Sequence, residues 1–178
     1  EGIPSLTVSL RGTVTYTVEL KGLTSALHSG TFGGLVPDAA QALIRLLAPM
    51  FDNYGKILIP EILDLAPPLS EQEKMVCSKF PFNETQFKKD AGMNPNAKLP
   101  VHLPYAVAQT WYYPSLAIHA IQSSSREGAK NAINGTAWAR VGFRLSPQMD
   151  HRKLVPVFED YLKKHAPEGF EMTFNKIC

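Results

Sequence analysis

The sequence predicts an α+β protein with a ferredoxin-like two-layer sandwich: a four-stranded antiparallel sheet carries two helices on one face, and an irregular insertion interrupts the chain. Apolar and polar residues alternate along three segments, two segments have apolar residues at helical spacing, and one short apolar run predicts a further strand. In chain order these segments are 5–20, 37–51, 116–121, 136–145, 150–162 and 170–174. They give the order β-α-β-β-α-β.

The first strand is predicted over residues 5–20. It is expected either as one half-buried strand or as two segments that meet at Arg11-Gly12, where glycine permits a bend. The helix that follows is expected to begin at Pro37, because proline favours the first helical position. Its expected buried face consists of Ala40, Leu43, Ile44, Leu47, Met50 and Phe51.

Residues 56–113 form the irregular insertion, and prolines interrupt it repeatedly. Three short helices are predicted within it, over 70–79, 83–91 and 105–113. The first of them is indicated by Ser70 and Glu73, which have the spacing of a capping box.

The second half of the chain is more regular. The apolar run 116–121 predicts a strand buried on both faces, so His119 within it is expected to be a core histidine. Residues 122–135 predict a polar loop that ends in the turn-forming pair Asn134-Gly135. The strand that follows is expected to direct five apolar side chains inward: Ala137, Ala139, Val141, Phe143 and Leu145.

The last helix and strand complete the pattern. Asp150 is expected to cap the helix, but Pro156 is disfavoured in a helix interior, so the regular part is predicted to begin there. The expected apolar face of the helix contains Leu154, Val157, Phe158, Tyr161 and Leu162. The last strand is predicted from the alternation of Phe170, Met172 and Phe174.

Composition limits the function classes. A chain of 178 residues with 44% hydrophobic and 19% charged residues predicts one domain, residues 1–178. The net charge of +2 does not favour a nucleic-acid partner, and no apolar run approaches the ~20 residues of a membrane helix. Two distant cysteines, Cys77 and Cys178, fit a reducing compartment, which predicts a cytoplasmic protein. The first residue, Glu1, suggests a part of a longer protein.

The segment 28–34, His-Ser-Gly-Thr-Phe-Gly-Gly, says most about function. Glycine permits sharp turns and close approach of the backbone to a ligand, so Gly30, Gly33 and Gly34 are predicted to shape a structural loop. A histidine at the edge of this loop can face a group outside its own fold. The alternative is that His28 is an exposed loop histidine without a role.

Arg144 is the second candidate residue, at the end of the strand 136–145 and on the face opposite the core. One interpretation is a surface arginine that pairs with a nearby carboxylate. The other is a guanidinium fork that binds the carboxylate of a ligand. The histidines and cysteines form no recognisable metal-binding motif, and no P-loop is present.

Four short motifs occur in the order and approximate spacing of one family. They are Arg11-Gly12, the segment 28–34, Gly128-Ala129-Lys130 and Phe143-Arg144-Leu145-x-Pro147. Over its whole length the chain resembles the dimerisation (lid) domain of the M20 family of metallopeptidases. Segments 59–64 and 111–114 are most similar to the carnosinase and cytosolic dipeptidase branch.

This resemblance implies a ferredoxin-like lid inserted into a zinc-binding catalytic domain, with residues 1–12 as the connection. It implies that lids of two subunits pair and that His28 reaches into the partner's active site, where it stabilises the developing oxyanion. Arg144 would bind the C-terminal carboxylate of a dipeptide or small amide substrate. Asn131 stands where this branch has threonine, and its amide can still donate a hydrogen bond to substrate.

The two zinc (or manganese) ions and the general-base glutamate of such an enzyme need ligands that these 178 residues do not supply. The chain alone is therefore expected neither to bind catalytic metal nor to hydrolyse peptides; the metals would belong to a catalytic domain outside it. The alternative hypothesis is a free-standing ferredoxin-like module that binds an amino acid or small acid through the glycine loop and Arg144.

Overall fold

The structure is a computed structural model that describes residues 6–7, 9–101 and 103–178. In chain order the strands are β1 (Thr13–Lys21), β2 (Leu27–His28), β3 (Ser115–Gln122), β4 (Ala132–Ile133), β5 (Thr136–Arg144) and β6 (Glu171–Lys176). The helices are α1 (Ser29–Phe32), α2 (Ala39–Leu47), α3 (Pro60–Leu63), α4 (Glu71–Lys79), α5 (Glu84–Asp90), α6 (Ala106–Tyr112) and α7 (His151–Lys164), and a 3₁₀ turn (Ala48–Met50) follows α2.

Four strands form one antiparallel sheet in the spatial order β3-β5-β1-β6. The large elements follow one another as β1, α2, β3, β5, α7 and β6, which is the ferredoxin-like order. The short strands β2 and β4 form a separate two-stranded ribbon. The predicted fold class is therefore confirmed.

The core lies between one face of the sheet and helices α2 and α7. At its centre the Phe158 ring makes edge contacts with the rings of Tyr16 and Phe143, at centroid distances of 5.2 and 4.8 Å. The Tyr16 hydroxyl donates a hydrogen bond of 2.9 Å to Glu159. The inward-facing residues predicted for β5 are all buried, which confirms the alternation.

The first strand is shorter than predicted. It begins at Thr13, and Leu6 and Leu10 before it are 85% and 80% exposed. Thr13 pairs with Arg144, where β5 ends, so among the described residues no strand lies beside Leu6 and Leu10 to pair with them. Val8, in the same predicted segment, lies outside the described residues.

Helix α2 begins at Ala39 instead of Pro37. The carboxylate of Asp38 accepts hydrogen bonds from the amides of Ala40 and Gln41, so Asp38 is the N-cap. The prediction that Ile44 is buried was wrong, because its side chain is 55% exposed. The buried stripe of the helix consists of Ala39, Ala42, Leu43, Leu46 and Leu47.

The prediction that β3 is buried on both faces was also wrong. It is an edge strand that pairs with β5 alone among the described strands, and α2 packs on β1 and β5. Ile118 and Ile121 are consequently 36% and 52% exposed. His119 is exposed as well, and the pairing register shifts beside it, between Ile118 and Ala120. Its ring lies against Gly142, which has no side chain to displace it.

Helix α7 begins at His151, so the prediction that its regular part starts at Pro156 was wrong. The Asp150 carboxylate caps the first turn through the Arg152 amide, and buried Leu154 anchors that turn before the proline is reached. The predicted insertion helices correspond to α4, α5 and α6, whereas α3 was not predicted. Within the described residues, no helix combines the length and apolar character needed to cross a membrane.

Candidate functional site

The ribbon of β2 and β4 positions His28. Leu27 pairs with Ile133 and His28 with Ala132, so the histidine is held beside the segment that contains Asn131. The Ser29 amide and hydroxyl both donate hydrogen bonds to the Asn131 carbonyl, over 3.2 and 2.9 Å. These two hydrogen bonds join residues that are 102 positions apart in sequence. They bring His28 and Asn131, two of the predicted site residues, close together.

Where the sequence predicted a loop after His28, the structure has the short helix α1, which contains Gly30, followed by a turn at Gly33 and Gly34. The Gly33 amide donates a 2.8 Å hydrogen bond to the Ser29 carbonyl, and a Cβ on Gly33 would collide with that oxygen. Gly34 has a φ of 87°, a left-handed conformation that other residues rarely adopt. A Cβ on Gly30 would lie 2.8 Å from His28 Cε1, so the imidazole ring rests against the bare glycine backbone.

The His28 side chain is exposed, and no described residue forms a hydrogen bond or ion pair with it. Its ring position is therefore set by the backbone ribbon and by Gly30, while its nitrogens remain free to contact a group outside the chain. Asn131 is exposed as well, with its carbonyl engaged by Ser29. This arrangement can present an imidazole and an amide to one external ligand.

Arg144 lies at the far end of β5, where it pairs with Thr13 of β1 and Ser115 of β3. Its side chain is exposed, and among the described residues no carboxylate forms an ion pair or hydrogen bond with it. The interpretation of Arg144 as one partner of a surface ion pair is thus not supported. Its guanidinium is available to an external anion.

Arg11 lies beside Arg144 and bonds to the surrounding backbone. Its Nη2 donates to the carbonyls of Tyr113 (2.7 Å) and Arg144 (3.2 Å) and approaches Ser115 Oγ at 3.4 Å. Its Nε donates to the Leu145 carbonyl over 3.4 Å. Burial, and secondarily the charge of Arg144, lowers the pKa of the Arg11 guanidinium. Two arginines therefore meet at one corner of the sheet.

His28 and Arg144 do not lie together within one chain. The ribbon that holds His28 adjoins the Thr136 end of β5, whereas Arg144 is at the opposite end. Nine residues of antiparallel strand at about 3.4 Å per step separate these ends by roughly 27 Å. One copy of the chain thus holds these two candidate residues at two separate corners.

The described residues contain no cluster of three or more His, Cys, Asp or Glu side chains that could hold a metal ion. A pocket of about 480 Å³ in the insertion is apolar, and its lining includes none of the predicted site residues. The principal lining rings are Phe80, Phe82, Phe87 and Trp111.

Sequence reasoning missed the ribbon and the role of Ser29. Strands of two residues are too short to show a periodicity, and β4 lies within a segment that predicted a loop. The turn pair Asn134-Gly135 was the available signal, because the backbone reverses there between β4 and β5. Arg11 was identified as part of a motif, but its contacts depend on the tertiary structure.

The family model for the peptidase dimerisation domain of the M20 family matches residues 8–169. The chain is 32% identical over 183 residues to the Beta-Ala-His dipeptidase of Rattus norvegicus, a match that covers 98% of this chain and 35% of that protein. It is 32% identical over 169 residues to the Cys-Gly metallodipeptidase DUG1 of Saccharomyces cerevisiae, covering 94% of this chain and 34% of that protein. The chain thus spans about a third of the length of these relatives.

Solved structures agree with these matches. The fold superposes on Dug1p from Saccharomyces cerevisiae with a TM-score of 0.78 and 29% identity, covering 98% of this chain and 37% of the other. For human carnosine dipeptidase 1 the TM-score is 0.76 at 27% identity, covering 97% and 39%. Because the family model spans most of the chain, the chain belongs to the M20 peptidase dimerisation domain family.

Proposed function

We propose that this chain is the dimerisation and substrate-capping domain of an M20 dipeptidase, and that it supplies His28 to the partner's active site and Arg144 to the substrate carboxylate. Residues 1–12 would connect it to a catalytic domain, and 56–113 would be an insertion within the lid. The observation that carries the proposal is the separation of His28 and Arg144 at opposite ends of β5.

This separation matters because the substrate is small. An extended dipeptide spans at most about 7 Å, far less than the roughly 27 Å length of β5. This difference disfavours contact of one dipeptide with both His28 and Arg144 of the same subunit. Residues from two subunits related by a two-fold axis can contact one dipeptide, which favours a function for His28 in trans.

The sheet offers one edge suited to pairing with a second copy. Strand β3 has no Asp, Glu, Lys or Arg, and its Ile118 and Ile121 are partly exposed. The opposite edge strand, β6, carries Glu171 and Lys176, and its apolar residues pack against the core. Natural proteins protect sheet edges with charge or use them for pairing, so we infer that β3 is the dimer edge.

Antiparallel pairing of β3 with its copy would bring opposite ends of the two sheets together. Ser115, at the start of β3, is beside Arg144, and Gln122, at its end, is beside Trp138, near the ribbon of His28. In such a pair the Ser115 end of one strand meets the Gln122 end of the other. The Arg144 corner of one subunit would then face the His28 corner of its partner.

The chemistry of these groups suits peptide hydrolysis. An imidazole N–H of His28 would donate a hydrogen bond to the oxyanion that develops at the scissile carbonyl. The Arg144 fork would bind the substrate's C-terminal carboxylate, and the Asn131 amide would contact the substrate beside His28. The zinc or manganese ions that polarise the carbonyl would be held by the catalytic domain of the same cytoplasmic enzyme.

Subunit complementation tests this proposal in the full-length enzyme. His28→Ala subunits would be co-expressed with subunits inactivated at a metal ligand of the catalytic domain. If His28 acts in trans, each mixed dimer has one complete site, so random pairing of equal amounts should restore about a quarter of the wild-type rate. Activity no higher than in the separate variants would contradict the proposal.

The alternative function, a free-standing module for an amino acid or small acid, gives a different result. Such a module would bind its ligand as an isolated monomer, with an affinity reduced by Arg144→Ala. It would show no dependence on a second subunit. Calorimetric titration of the 178-residue chain with single amino acids distinguishes the two functions.

A further inference from the structure

We propose that Arg11 is a positioning residue for Arg144: it fixes the strand end that carries Arg144 and keeps that guanidinium free to bind the substrate carboxylate. This inference rests on the function proposed for Arg144. It assigns to Arg11 no contact with substrate. Its basis is the set of backbone carbonyls that the Arg11 guanidinium occupies.

The first step is mechanical. Arg11 bonds at once to the last residue of the insertion region, through the Tyr113 carbonyl, and to the end of β5, through the carbonyls of Arg144 and Leu145. These segments are 102 and 133 or more positions away from Arg11 in sequence. A planar guanidinium with donors in a fixed fork holds such acceptors in one geometry, which the rotating ammonium of lysine does not.

The second step concerns competition for acceptors. Strand ends leave carbonyl oxygens that need donors, and a neighbouring arginine is a strong donor. Because Arg11 already donates hydrogen bonds to the Tyr113 and Leu145 carbonyls, those oxygens have less capacity to accept a hydrogen bond from the Arg144 side chain. In agreement, Arg144 makes no side-chain hydrogen bond or ion pair to any described residue.

The third step is electrostatic. Arg11 is partly buried, and its positive charge repels that of Arg144, as the lowered pKa of Arg11 reflects after the larger effect of burial. Repulsion disfavours conformations in which the Arg144 guanidinium folds back onto Arg11. A bound carboxylate would relieve this repulsion, so the corner favours an anionic group over a neutral one.

The test uses the full-length enzyme with a dipeptide and with the same dipeptide amidated at its C-terminus. For Arg11→Ala we expect KM for the dipeptide to rise roughly tenfold with kcat changed less than about twofold, and KM for the amide to stay unchanged. Arg11→Lys should fall between Arg11→Ala and wild type, because it keeps the charge and loses the fork. Arg11→Ala should add nothing to KM in an Arg144→Ala background.

Arg140→Ala is the matched control, since Arg140 is exposed and lies on β5, four residues before Arg144. Equal effects of Arg11→Ala on the dipeptide and the amide, or a further rise of KM in the double variant, would overturn the inference and leave Arg11 with a structural role alone. If Arg144→Ala itself leaves KM for the dipeptide unchanged, the proposed function of Arg144 fails instead. Should Arg11→Ala not fold, Arg11→Lys and Arg11→Gln give the same comparison.

Discussion

Ser29 donates two hydrogen bonds to a single acceptor, the Asn131 carbonyl oxygen, one from its amide at 3.2 Å and one from its hydroxyl at 2.9 Å. These bonds attach the residue after His28 to a segment that is otherwise an exposed loop. They also explain how an exposed histidine keeps a defined position without a side-chain partner among the described residues. The serine of this motif is therefore a support for the histidine.

Replacement of Ser29 by alanine should weaken this support. The amide bond to Asn131 would remain and the hydroxyl bond would be lost, so we expect kcat of the full-length enzyme to fall about three- to tenfold with little change in KM. Thr31→Ala, in the same short helix α1 and exposed, is the control and should leave kcat unchanged. Equal kcat values for the two variants would show that the Ser29 hydroxyl does not position His28.

Gly30→Ala should displace His28 while leaving the histidine in the sequence. The new Cβ would lie 2.8 Å from His28 Cε1, so the ring must move away. We expect a fall in kcat of roughly 10²-fold, close to that of His28→Ala. Gly55→Ala, whose φ of 81° lies in a turn with open space around it, should reduce stability and leave kcat intact. A similar kcat for both variants would contradict the proposed position of the ring.

The sequence could predict what periodicity reports, namely which faces of β1 and β5 are apolar. It could not predict what covers an apolar residue. Ile118 and Ile121 have the pattern of a buried strand but lie on an edge strand; if this edge pairs with a second copy, as proposed, it needs the same side chains as a core. Local sequence patterns likewise could not predict that His28 lies near Asn131, since this proximity depends on a ribbon of only two residue pairs.

The edge β3 gives a prediction for the 178-residue chain itself. Ile121 is 52% exposed, and it lines a shallow groove together with Ile44 of α2. Ile121→Asp should place a charge in the dimer contact and weaken self-association at least tenfold, because a buried unpaired charge is costly. Sedimentation velocity across a concentration series measures this change.

Met75→Asp is the control for this experiment, because Met75 is exposed to a similar degree, 56%, but belongs to α4. Its dimer should have the wild-type dissociation constant. If Met75→Asp weakened self-association more than Ile121→Asp, the dimer contact would lie in the insertion and not at β3. A chain that stays monomeric at all concentrations would contradict the proposed dimer edge.

The buried Tyr16 hydroxyl gives a prediction for stability and pH. Tyr16→Phe keeps the ring and removes the hydrogen bond to Glu159, so the free energy of unfolding at pH 7 should fall by about 1–2 kcal/mol. Burial, followed by the bond to Glu159, raises the pKa of Tyr16. The folded state therefore keeps this proton above pH ~10, where an unfolded tyrosine loses it, and wild-type stability falls as the pH rises.

Tyr16→Phe lacks this ionisation, so its stability deficit should narrow by about 1 kcal/mol between pH 7 and pH 11. The raised pKa values of Tyr112 and Tyr161 affect both proteins equally and cancel in the comparison. Urea unfolding at the two pH values measures the difference. A deficit that stays constant would mean that Tyr16 ionises equally in the folded and unfolded states.

If the proposed function holds, the His28 and Arg144 corners should give different kinetic signatures in the full-length enzyme. An oxyanion donor acts mainly in the transition state, so His28→Ala should lower kcat by roughly 10²–10³-fold with a small change in KM. A carboxylate-binding arginine acts on the ground state and the transition state together, so Arg144→Ala should act chiefly by raising KM. His151→Ala and Arg140→Ala remove exposed residues of the same types and should leave both constants unchanged. A normal kcat for His28→Ala would support the alternative interpretation, in which His28 is an exposed loop histidine without a role.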